Sequence, residues 1–97
     1  MFKLHKDKKG TIVITGILSI ASIEALHVEL RELYDEGASA TIDCSGVTEI
    51  DTAALQLLIA LKRYFLETSR PIVYIAGPAM DEALALSGLK KLLLSAA

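Results

Sequence analysis

Tryptophan is absent, and the chain holds only three tyrosines and two phenylalanines. A surface that stacks nucleic-acid bases needs flat rings at intervals, so no such platform is expected. Cysteine occurs once, as Cys44; it cannot form an internal disulfide, and a lone thiol fits a reducing compartment. Excess charge of one sign is missing too. Ten Lys and Arg face twelve Asp and Glu, for a formal net charge of -2, and the signs are interspersed, which gives neither nucleic acid nor an anionic membrane an electrostatic hold. No uninterrupted apolar run approaches the ~18 residues of a spanning helix. The opening stretch Met1–Lys6 lacks the long apolar segment of a signal peptide. A cytoplasmic protein that does not insert into a membrane is expected.

Catalytic signatures are also lacking. There is no Cys-x-x-Cys, His-Glu-x-x-His or Gly-x-Ser-x-Gly, and no phosphate-cradling glycine loop. His5 and His27 lie far apart and have no evident paired base or nucleophile. Asp43 and Asp51 could be imagined as a metal pair, but they read more simply as a strand end and a helix cap. No Lys or Arg adjoins Cys44 to depress its pKa, so it reads as structural. The expectation is a non-enzyme without metal or cofactor.

Apolar residues, by contrast, are abundant at 53% of the 97 residues, above the usual globular share. That excess suits a tightly wound α/β core, a partner surface, or both. The length suits one domain over residues 1–97, large enough for one modest core.

Phe2–His5 alternates apolar and polar residues, as a half-buried strand does. Residues 6–10, Lys-Asp-Lys-Lys-Gly, read as a hairpin turn, and the β-branched run Thr11–Thr15 as the second strand. Residues 16–19 leave that strand, and Ser19 or Ser22 can cap the next helix. Ile23, Leu26, Leu30, Leu33 and Tyr34 recur at helical spacing and define a core face, with Gly37 just past the end. Residues 40–43 form a short strand and residues 44–49 a loop. A second helix runs from about Asp51 to about Thr68, followed by a strand at residues 71–76. Gly77-Pro78 opens a third helix, which Gly88 ends. Residues 89–94 fit either a last strand or a helical turn. The order predicts an α/β fold: a mixed sheet of 4-5 strands, the first antiparallel and the rest mostly parallel, with helices packed against it.

The second helix is the most informative segment. Residues 53–61 are apolar except for Gln56. At about 100° per residue, Ala54, Leu58, Leu61 and Phe65 fall on one line, flanked by Leu57 and Tyr64 on one side and by Leu55 and Lys62 on the other. This is the predicted core face. Thr52, Gln56, Arg63 and Glu67 fall opposite, with Ile59 and Leu66 at the edge of that polar stripe. Thr52 should therefore be exposed at the helix tip, next to the cap Asp51, and Ile59 exposed beside Gln56 and Arg63. Sites in α/β sheets gather at the carboxyl ends of the parallel strands, where this tip falls. A phosphate on Thr52 would suit the helix dipole yet add about two negative charges to the surface.

The run Ile42-Asp43-Cys44-Ser45-Gly46-Val47-Thr48-Glu49-Ile50-Asp51-Thr52-Ala53-Ala54-Leu55-Gln56-Leu57-Leu58 resembles the central signature of STAS domains, the sulfate-transporter and anti-sigma-factor-antagonist modules. The resemblance covers nearly the whole chain, including Gly16–Ser19 and Ala83–Leu89. It implies a mixed sheet with helices against it, and action by binding. An anti-sigma factor antagonist captures a kinase-type anti-sigma factor, and phosphorylation of a Ser or Thr just after the motif Asp stops that capture. By position Thr52 matches the acceptor and Asp51 the acid. Two departures stand out: Ala53-Ala54 where Ser-Gly often follows, and Ser19 where antagonists often carry Asp. The resemblance also extends to modules found with signalling kinases and to subunits that bind the ATPase of phospholipid-transport ABC systems. The expected contact surface is Ser19, Ser45, Asp51, Thr52, Gln56, Ile59 and Arg63, with Thr52 as the switch; the apolar flank of the helix could equally serve a weak homodimer.

Overall fold

The computed structural model describes residues 1–36 and 40–94. Strand β1 (Phe2–Lys6) pairs antiparallel with β2 (Ile12–Leu18), which pairs parallel with β3 (Ala40–Ile50), which pairs parallel with β4 (Ile72–Ala76). The four strands lie in the order β1-β2-β3-β4. A 3-10 turn (Ile20–Ser22) leads into α1 (Ile23–Asp35); α2 (Thr52–Glu67) joins β3 to β4, and α3 (Pro78–Ser87) and α4 (Lys90–Leu94) follow. The mixed sheet is the one expected, with four strands, and residues 89–94 take the helical alternative. Gly37, expected to follow the first helix, lies outside the described residues.

The hairpin connection is displaced by one residue from the expected 6–10, since Lys6 still pairs with Ile12. The Asp7 carboxylate closes the turn by accepting from Lys9 N–H at 2.8 Å and from Thr11 N–H at 2.9 Å. Two expected boundaries are corrected. Residues 16–18 do not leave the second strand, and residues 44–49 are not a loop but the middle of β3. Both errors have one cause. Between Val13 and Thr15 of β2 the register on β3 jumps from Asp43 to Gly46, and between Gly16 and Ile17 it jumps from Val47 to Glu49. β3 thus carries two bulges, each of which breaks the period-two alternation by which a strand is read. At the second bulge the Thr48 hydroxyl donates to Gly16 O at 3.2 Å. Gly16 has φ +96, and a Cβ there would sit 2.5 Å from Met1 O, so only glycine fits.

Burial alternates along the central strands. Ile12, Ile14, Leu18, Ile42, Cys44, Val47, Ile72 and Tyr74 are buried, while Val73 and Ile75 point away and are exposed. The helices therefore cover one face of the sheet. Leu26, Leu30 and Leu33 of α1 and Ala54, Leu58, Leu61 and Phe65 of α2 complete the core as their spacing predicted. The buried Tyr74 hydroxyl donates to Leu58 O at 2.7 Å and fastens α2 to β4. Gly88 closes α3 in the left-handed conformation, φ +73, as a helix-terminating glycine does.

Two flank residues of α2 differ from the helical-wheel reading. Ile59, expected to be exposed, is 7% exposed and belongs to the core. α3 and α4 both contact α2, and Lys62, one turn beyond Ile59, reaches Leu93 O at 3.2 Å, so the C-terminal helices cover that flank. Tyr64, placed at the edge of the core face, is exposed and packs at a tilt on Tyr34, 5.8 Å between ring centroids. Lys62 is buried as its angle required, its aliphatic stem packed and its ammonium at the carbonyl end of α4, a favourable site for a cation.

Candidate partner-docking site

β2 and β3 end side by side, with Leu18 opposite Ile50. Beyond them the chain must start two helical segments at once, which leaves several backbone N–H groups without intrahelical acceptors. One side chain answers both needs. Asp51 Oδ1 accepts from Ala54 N–H at 3.0 Å as the N-cap of α2. Asp51 Oδ2 accepts from Ile20 N–H at 2.8 Å, at the start of the 3-10 turn. The Asp51 N–H donates to Leu18 O at 3.1 Å. A carboxylate is needed because two acceptor oxygens must diverge, and hydrogen bonds to an ionised group are strong and directional.

The two serines before α1 divide the capping. Ser19 precedes the 3-10 turn, and its N–H donates to Ser22 Oγ at 3.2 Å while that hydroxyl lies 3.2 Å from Ser19 O. The result is a hydrogen-bonded corner at which Ile20, Thr52 and Gln56 are exposed. Ile20 is 71% exposed. Thr52 and Gln56 are exposed one turn apart on α2, and among the described residues the Thr52 hydroxyl has no hydrogen-bond partner.

Of the expected site residues, Ser19, Asp51, Thr52 and Gln56 come together. Arg63 is exposed on the same stripe of α2, about 16 Å from Thr52 along the axis at 1.5 Å per residue. Ile59 is excluded by its burial. Ser45 stands apart: its neighbour Cys44 pairs with Ala76 at the end of β4, so it lies roughly 16 Å of extended strand before Ile50. There it meets α3, since a Cβ on Gly77 would fall 2.6 Å from Ser45 Cα and Ser45 O. Ser45 also holds Asp43: its hydroxyl and then its N–H, the latter at 2.8 Å, keep the Asp43 carboxyl below its ordinary pKa.

Sequence reasoning missed Ile20. Spacing hid it: Ile20 lies three residues before Ile23 and so continues the core pattern of α1, and only the separate 3-10 turn over Ile20–Ser22 turns it outward.

The Asp51 carboxylate beside Thr52 is engaged with Ile20 N–H and Ala54 N–H, and His5 and His27 are exposed on other elements. Burial pushes the Cys44 thiol up to about 12, with the Asp43 charge adding to the shift, so the thiolate that reacts is scarce. Among the described residues, no group of three or more His, Cys, Asp or Glu side chains could hold a metal ion, and no helix is long and apolar enough to cross a membrane.

A four-stranded mixed sheet covered on one face, with a helix tip displayed at the ends of its two central strands, defines an α/β domain of STAS type. The family model described as "Mlab, STAS domain" matches residues 2–95, and the chain belongs to this family. Two solved structures share the fold. An anti-sigma factor antagonist from Mycobacterium paratuberculosis superposes with a TM-score of 0.73 at 24% identity, over 94% of this chain and 81% of that one. The anti-sigma factor antagonist SpoIIAA in its unphosphorylated form superposes with a TM-score of 0.65 at 15% identity, over 89% of this chain and 83% of that one. A comparison with curated proteins finds no match.

Proposed function

We propose that residues 1–97 form a single cytoplasmic binding module that captures a kinase-type anti-sigma factor, or a signalling kinase of that kind, through the tip of α2. Phosphorylation of Thr52 ends the capture. The observation that carries this reading is the doubled cap of Asp51, which locks the start of the 3-10 turn to the start of α2 and presents Ile20 and an unpartnered Thr52 hydroxyl on one rigid surface. An exposed isoleucine beside exposed polar residues offers a partner apolar surface to bury. Membership of the STAS family and the likeness to two anti-sigma factor antagonists support the choice of partner.

A phosphate on Thr52 adds about two negative charges without disturbing the core, because the side chain is exposed. The helix N-terminus tolerates that charge. A partner that must bury Ile20 does not, because it would have to desolvate the phosphate beside Asp51. The switch therefore acts on docking and leaves the fold alone.

Affinity capture from the source organism's lysate, with wild-type and Thr52→Glu baits, tests this. Recovery of an ATP-binding anti-sigma factor or signalling kinase by the wild type only is the expected result. Equal recovery by both baits overturns the switch. Recovery of an ABC ATPase instead replaces the partner with a transport complex.

A further inference from the structure

Away from the α2 tip, α1 and α2 enclose a groove of about 390 Å³. Its floor is apolar, formed by Leu30, Leu57 and Leu61. Tyr34 and Tyr64 wall one end, their rings tilted 59° to each other. Tyr34 cannot swing freely, because the Arg70 guanidinium sits 4.3 Å above its ring and donates to Tyr34 O at 2.8 Å. The rim on the α1 side carries His27, Arg31 and Asp35, spaced i, i+4, i+8 along one line.

Arg31 and Asp35 stand at the spacing of a helical ion pair, yet among the described residues neither has an ion-pair or hydrogen-bond partner. The groove thus offers aromatic edges, an apolar floor, and a rim on which an imidazole, a guanidinium and a carboxylate follow one another one turn apart. The volume falls within the range of small-molecule sites, which combine an apolar lining with a few placed polar groups.

We propose that this groove binds a small, flat amphipathic anion, with its apolar body on the leucine floor against the tyrosines and its anionic group on Arg31. The direction of binding follows from charge: the anion lies on the Arg31 guanidinium and on its side away from the Asp35 carboxylate. Arginine suits the role because its planar fork meets carboxylate, sulfonate and phosphate oxygens in two parallel hydrogen bonds. The site is separate from the proposed partner surface, and its test does not depend on any partner.

Two commercially available probes differ in the decisive feature. 1-Anilinonaphthalene-8-sulfonate carries the anion, and N-phenyl-1-naphthylamine has the same rings without it. Each is titrated into the natively folded full chain by two-dimensional NMR. The expected result is saturable binding of the sulfonate with shifts centred on α1 and the facing side of α2, and at least tenfold weaker binding of the neutral amine. Arg31→Gln should bring the sulfonate down to the affinity of the amine, Tyr64→Ala should weaken both, and Asp35→Asn should tighten the sulfonate alone. All three positions are exposed, so the fold is retained, and unchanged backbone shifts outside the groove check that. Equal binding of the two probes, shifts centred elsewhere, or an Arg31→Gln variant that binds like the wild type overturns the assignment. An amphipathic helical peptide that shifts the groove residues while the sulfonate does not would also overturn it, and would mark the groove as a seat for a helix.

Discussion

At its N-terminal end α2 is held by one carboxylate; at its C-terminal end a guanidinium, a hydroxyl and two aromatic rings share the task. At the C-terminal end the Thr68 hydroxyl lies 3.1 Å from both Tyr64 O and Phe65 O. Arg70 Nε donates to that hydroxyl at 2.9 Å, Arg70 Nη1 donates to Tyr34 O at 2.8 Å, and the guanidinium lies 4.5 Å from the Phe65 ring centroid. The backbone carbonyls there are well occupied, although Tyr64 and Leu66 remain exposed beside them. At the N-terminal end the same helix economises: Asp51 supplies both fastenings, and the residues on either side of it, Ile20 and Thr52, are left outward. One end of the helix is braced by several side chains; in the proposed function the other is the end that a partner reads.

The sharpest way to break this contrast is Asp51→Ala. It removes an N-cap, worth about 1 kcal/mol, and a charge-assisted hydrogen bond to Ile20 N–H, worth about 1.5 kcal/mol or more. A loss of about 2 to 3 kcal/mol in urea unfolding is expected, together with loss of partner capture. Asp51→Asn keeps one acceptor oxygen and should recover roughly half of that stability. An Asp51→Ala protein that unfolds at the wild-type midpoint would show that the two hydrogen bonds do not brace the corner.

Arg70→Ala probes the other end. The bond to Tyr34 O and the stacking on two rings together suggest a cost of about 1.5 kcal/mol. Capture of the partner should survive, because the α2 tip is untouched. If docking fell while the tip kept its amide shifts, the separation of holding from reading would be wrong.

Ile20→Ser should move in the opposite direction. The side chain is already 71% exposed, so stability should change by no more than about 0.5 kcal/mol. Affinity for the captured partner should fall tenfold or more, as truncation of a central contact does. Isothermal titration beside thermal unfolding separates the two readouts.

How much of this was legible before the fold follows from which residues obey a period. The β2 and β4 cores, the leucine line of α1 and the Ala54–Phe65 line of α2 could be read because each repeats every two or every 3.6 residues. The Asp51 cap and the exposed Thr52 followed from local chemistry and angle. Three features did not follow. The bulges in β3 erase alternation over Cys44–Glu49, so a strand looked like a loop. The burial of Ile59 depends on where α3 and α4 return, and a single-helix wheel carries no such information. The pairing of Ile20 with Asp51 spans 31 positions, and nothing local to either residue announces it.

The smallest expected effect on stability is also the one that isolates the switch. Thr52→Glu places an acid in the first turn of α2, where the helix dipole favours negative charge by a few tenths of a kcal/mol to about 1 kcal/mol, less as salt rises. The side chain is exposed and releases no hydrogen bond on replacement, so the variant should be as stable as the wild type or about 0.5 kcal/mol more so. Partner capture should nevertheless be lost. That combination cannot arise from unfolding, and Ile20→Ser cannot mimic it, because removing an apolar contact adds no charge and leaves the salt dependence of binding unchanged. Measuring residual affinity from low to high ionic strength distinguishes them: Thr52→Glu binding should recover in part as salt screens the added charge, whereas Ile20→Ser binding should stay flat. A flat response in both would mean that Thr52 acts through shape, and that the tip reads contact area and not charge.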